Sequence, residues 1–88
     1  MDREQLIRER LTAALEPVSL DIRDDSHLHA GHEGAKSGGG HFTVSIVSKK
    51  FAGQNAVARH RMVYEALGSA MRSEIHALSI SALAPDET

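Results

Sequence analysis

Phe42-Thr-Val-Ser-Ile46 alternates apolar with polar side chains, the period of a strand with one buried face. The same alternation occurs upstream, where Val18, Leu20 and Ile22 are interleaved with Ser19, Asp21 and Arg23. Between these strands, from Asp24 to Gly40, the apolar pattern stops and five glycines appear. Downstream, Lys49–Asn55 reads as a turn around Gly53. Val57, His60, Val63, Tyr64, Leu67, Ala70 and Met71 then recur at helical spacing, which predicts that they share one face. A third strand is expected over Ile75–Leu83, with Leu78, Ile80 and Ala82 on one side. At the other end, Asp2 and Gln5 have capping-box spacing. Ile7, Leu11, Ala14 and Leu15 form a helical stripe, Glu4 and Arg8 pair at i, i+4, and Pro17 stops the helix. The tail from Ala84 to Thr88 is expected to fray.

The order is αββαβ, a single α+β domain over residues 1–88. The first two strands are joined directly and pair antiparallel. The second and third are joined through a helix and run parallel. The expected architecture is a three-stranded mixed sheet with helices on one face. This topology brings both ends of the Asp24–Gly40 loop and the start of the third strand to one end of the sheet.

That end carries five of the six histidines: His27, His29, His32, His41 and His76. Imidazole is the commonest protein ligand for borderline metals and titrates near neutral pH. A seventeen-residue loop with no structure of its own is usually functional or disordered. Two readings of its His-x-His-x-x-His spacing stay open, a metal or cofactor site and a solvated loop whose histidines do nothing. His76 shares the parity of Leu78 and Ile80, which predicts a side chain turned toward the core face, at a strand end within reach of the loop. His60, on the helical stripe, reads as packed and hydrogen-bonded.

Cysteine is absent, which excludes a disulfide framework, a thiol nucleophile and any metal site completed by this chain's own thiolates. No HExxH, Walker motif, GxGxxG or nucleophile elbow is present, so no enzymatic activity is expected. No apolar run approaches the roughly 18 residues of a membrane span, and no secretory signal is readable, so the cytoplasm is the expected compartment. The net charge of −2 is uneven: residues 36–72 hold six basic groups and one acidic. Lys49, Lys50, Arg59 and Arg61 are therefore candidate contacts for nucleic acid or an acidic partner, against the plainer reading of a solvated basic face.

Several motifs together resemble the BolA-like protein family over nearly the whole chain. They are Leu15-Glu-Pro17, DDSHLHAGHEGA at Asp24–Ala35, GGGHFTVSIVSKKFAGQ at Gly38–Gln54, RHRMVYEAL at Arg59–Leu67 and IHALSI at Ile75–Ile80. The resemblance implies a fold similar to type II K-homology domains. It implies a heterodimer with a monothiol glutaredoxin, bridged by a 2Fe–2S cluster shared with glutaredoxin and glutathione. It places the cluster ligands at His76 and His29, with His27, His32 and His41 as less favoured substitutes, and implies no cofactor in the isolated chain, which is a monomer or weak homodimer. Some members of the family are transcriptional regulators that bind DNA, and this function is the alternative expectation. A zinc module built from the same histidines is a third.

Overall fold

The structure, a computed structural model, describes residues 3–25, 40–73 and 75–88. Its elements follow the expected order: α1 (Arg3–Leu15), β1 (Ser19–Asp24), β2 (Gly40–Val47), a 3-10 turn (Lys49–Phe51), α2 (Ala56–Leu67), a short α3 (Ala70–Ser73), β3 (Ile75–Leu83) and a final 3-10 turn (Pro85–Glu87). The sheet order is β1-β2-β3, with β1 antiparallel and β3 parallel to β2. Asp2 lies outside the described residues.

The core forms where the two periodicities meet. Ile7, Leu11 and Leu15 give α1 its buried stripe, and Ile22, Phe42, Val44 and Ile46 supply the sheet's inner face. Asp21, Arg23, Ser45, Ser79 and Ser81 lie exposed on the other face. Phe51, in the turn after β2, is fully buried with them. The connection out of α1 is tight. Glu16 takes a left-handed φ of 45°, and Ser48, itself buried, donates from Oγ to the Leu15 carbonyl at 2.6 Å. This satisfies one of the carbonyls that a helix end leaves without an intrahelical partner. Asn55 caps α2 by accepting from the Ala58 N–H at 2.8 Å, and Gly68, with φ 54°, ends it.

Several expectations require correction. The helix expected to run through Met71 breaks at Gly68, so Ala70 and Met71 lie in the separate α3. Val18 precedes β1 and is 61% exposed. Val57 and Tyr64 are not on the buried face of α2 but are 68% and 42% exposed; the stripe consists of Val63 and Leu67, flanked by Met62 and Ala66. A stripe centred on Val63 and Leu67 could be flanked on either side, and the fold buries the side that carries Met62 and Ala66. Arg59 faces β3, and its guanidinium reaches the Ala82 carbonyl at 3.0 Å. Nor is the C-terminus frayed. Ala84 is buried and Pro85–Glu87 form an ordered turn, closed by Glu87 against Arg59.

Candidate functional site

The end of the sheet where the Asp24–Gly40 segment leaves and returns is built around Asp25. Its backbone N–H donates to the His41 carbonyl at 2.8 Å, which extends the β1–β2 ladder by one residue. Its carboxylate accepts from Arg23 Nε at 2.8 Å through one oxygen and from Thr43 Oγ1 at 2.7 Å through the other. With its side chain only 14% exposed, Asp25 fixes where the segment leaves the sheet. Sequence reading assigned no role to Asp25 or Thr43, because their link spans eighteen residues of chain and follows from strand register.

On the other side, Gly40 pairs with Ile75, but His41 pairs with Ala77. The register therefore skips His76, which is the extra residue of a β-bulge. Bulges break pairing locally and re-aim side chains, and they are frequent beside functional sites. This bulge also explains the burial of β3. Ile75 is buried and Leu78 packs against the core, although an unbroken two-residue period would place them on opposite faces. The parity argument for His76 thus does not carry across the bulge, and the direction of its side chain lies outside the described structure. An odd spacing between two core-facing apolar residues was the available signal.

The strands thus bring together, as backbone positions, the segment's two stems, His41 and His76. His41 is half-buried. His27, His29 and His32 lie outside the described residues. Among the described residues no three His, Cys, Asp or Glu side chains form a metal-binding group. His60 is half-buried on α2, and no described hydrogen bond reaches its ring.

The basic residues do not form one surface. Lys49 and Lys50 follow β2 at the opposite end of the sheet, where Lys50 Nζ lies 3.5 Å from Glu16. There, with Leu15, Val18 and Ser48, they line an open concavity of about 270 Å³. Arg61 is exposed on α2. Arg59, expected among the outward-facing cations, is used inside the fold. Its Nε donates to the Gln54 carbonyl at 2.8 Å, Nη1 to the Ala82 carbonyl at 3.0 Å and to Glu87 Oε1 at 2.6 Å, and Nη2 to Glu87 Oε2 at 2.8 Å. The Leu83 carbonyl accepts from the Ser48 N–H and so faces β2. Strand alternation turns the Ala82 carbonyl outward, so Arg59 covers the free edge of β3.

The pairing with Arg59, assisted by the Ala84 N–H, holds the Glu87 carboxyl at about 2, well below the usual carboxylate range. A carboxylate depressed in the folded state contributes stability above its ordinary value of 4.5, and this contribution is lost as pH falls through about 2. Glu87→Gln is therefore expected to lower the melting temperature at neutral pH, with the difference from wild type closing between pH 4.5 and about 2. Thermal unfolding followed across that range checks it. An equal deficit at every pH would mean that the ion pair is not what holds the turn.

A small α+β domain with two antiparallel strands, a parallel third strand and a bulge beside the His-rich segment defines the class. The family model for the BolA-like protein matches residues 11–87, and the chain belongs to that family. It is 47% identical over 90 residues to the chloroplastic protein BOLA1 of Arabidopsis thaliana, covering 99% of this chain and 56% of that protein. It is 40% identical over 74 residues to the DNA-binding transcriptional regulator BolA of Escherichia coli, covering 84% of this chain and 68% of that one. The solved BolA domain of SufE1 from Arabidopsis thaliana superposes with a TM-score of 0.86 at 42% identity, over 100% of this chain and 98% of that domain. The chain spans little more than half of the plant BOLA1 it matches. No helix among the described residues is long and apolar enough to cross a membrane. Because BOLA1 is chloroplastic, family membership does not carry the cytoplasmic expectation.

Proposed function

We propose that this protein is a non-enzymatic partner of a monothiol glutaredoxin. In this reading it lends imidazole ligands to a 2Fe–2S cluster whose remaining ligands are thiolates of glutaredoxin and glutathione, and it acts in iron–sulfur trafficking or iron homeostasis. The observation that carries the reading is the bulge at His76, placed by the sheet beside both stems of a segment bearing three histidines, in a chain without cysteine. Imidazole ligates iron in mixed histidine–cysteine clusters, so this donor set suits a cluster that takes its thiolates from elsewhere. His76 and His29 are the proposed ligands, with His27, His32 and His41 as the nearest substitutes. Asp25, Arg23 and Thr43 would hold the stem from which the ligand-bearing segment leaves.

Mixing the protein with a cluster-loaded monothiol glutaredoxin is expected to convert the glutaredoxin homodimer into a heterodimer with altered visible circular dichroism. An unchanged spectrum with no complex by size exclusion would overturn the reading.

A second reading, nucleic-acid binding, is favoured by similarity to the Escherichia coli DNA-binding regulator. With Arg59 used internally, Lys49, Lys50 and Arg61 remain for phosphate. Because they do not share one surface, three contacts are the most they can make together, a slope no steeper than about −3 in log affinity against log salt. Sequence-selective nanomolar binding at physiological salt would put this reading ahead of the first.

A further inference from the structure

β1 is an edge strand, and its outer edge is self-complementary. In the β1–β2 ladder the Asp25 N–H donates to His41, its register partner extended by one from Asp24↔Phe42. Antiparallel pairs alternate between hydrogen-bonded and non-hydrogen-bonded, so Asp21 and Arg23 also turn their backbone groups toward β2. Leu20 and Ile22 turn theirs outward, and among the described residues no hydrogen bond meets them there. The opposite edge of the sheet differs, since the outward Ala82 carbonyl of β3 is taken by Arg59.

Charged side chains on an edge strand usually prevent pairing. Here, however, the charges alternate in sign. Asp21 and Arg23 are both exposed on the helix-free face, Arg23 with its side chain 70% accessible. A second copy of β1 laid antiparallel about a two-fold axis through Ile22 sets Ile22 opposite Ile22 as a hydrogen-bonded pair. It also sets Asp21 opposite Arg23 twice, in the closer non-hydrogen-bonded pairs, where opposite charges attract. The two neighbouring symmetric registers place Asp21 against Asp21 or Arg23 against Arg23, and like charges directly opposite are destabilising. Arg23 can serve both its own Asp25 and a facing Asp21, because a guanidinium carries five donors.

We propose that β1 is a homodimerisation edge, joining two copies through Asp21–Arg23 cross-strand pairs into a continuous six-stranded sheet. Because the strands run antiparallel across the axis, the two His76-bearing ends lie at opposite ends of that sheet. Each remains open to a partner, so the inference stands independently of the proposed function.

Sedimentation of the full chain over a concentration series reaching about 1 mM tests it. The wild type is expected to show a reversible monomer–dimer equilibrium that weakens with salt. Asp21→Arg and Arg23→Glu, each folded by circular dichroism, are each expected to weaken self-association about tenfold or more. An equimolar mixture of the two is expected to associate at least as well as wild type, since one edge is then wholly basic and the other wholly acidic. In the wild type, exchange of the Leu20 and Ile22 amides should slow as concentration rises. A wild type that stays monomeric throughout, variants that dimerise like wild type, or amides whose exchange ignores concentration would each overturn the proposal.

Discussion

With His76 replaced by alanine, addition of cluster-loaded monothiol glutaredoxin is expected to leave the glutaredoxin's own spectrum in place, with no heterodimer signature. The reason is preorganisation. His76 stands in β3 between Ile75 and Ala77, both paired to β2, so its backbone position is held before a partner arrives. His29 lies in the Gly-rich stretch without apolar period, and ordering such a stretch costs roughly 1–2 kcal/mol per residue. His29→Ala is therefore expected to leave a cluster with a shorter lifetime and a shifted spectrum, because His27 and His32 are within three residues of it and can replace it in part. His60→Ala, on α2, should lower fold stability without changing the spectrum of the folded complex. A wild-type spectrum from His76→Ala, together with its loss in a folded His60→Ala, would show the ligand assignment to be wrong.

Phe51→Ala is expected to lower the stability of the fold by about 3–5 kcal/mol while leaving it folded in the absence of denaturant. Phe51 is fully buried, yet it comes from a three-residue 3-10 turn and not from a long element. The turn is pinned by the Phe51 N–H to the Ser48 carbonyl at 3.1 Å and by the Gln54 N–H to the Phe51 carbonyl at 3.0 Å, so the backbone cannot easily collapse into the space left. Truncating a buried phenylalanine costs about 3–5 kcal/mol, about half of the roughly 5–10 kcal/mol that a domain of this size has. Urea unfolding followed by circular dichroism measures the loss. A change below about 1 kcal/mol would mean that the surrounding side chains close over the site.

The sequence by itself determined the element order and the strand directions. The two-residue alternation in Val18–Arg23 and Phe42–Ile46 identifies strands one face deep. A direct link permits antiparallel pairing, and a helical crossover demands parallel pairing. These signals are local or follow from chain connectivity, so they can be read without coordinates. Convergence of the His-rich segment's stems with the start of β3 follows from the same topology. Only the tertiary structure decided the rest, because each remaining feature is a contact between residues far apart in the chain. The bulge at His76 arises because both Ile75 and Leu78 must reach one core, which shifts the register against Gly40 and His41. The rotation of α2 buries Val63 and Leu67, exposes Val57 and Tyr64, and lets Arg59 reach across 23 residues to Ala82 and 28 to Glu87. The same contact orders a tail whose composition reads as frayed and removes Arg59 from the outward-facing cations. In composition it is one basic residue among ten; its role comes from the two carbonyls and the carboxylate that the fold places around its guanidinium.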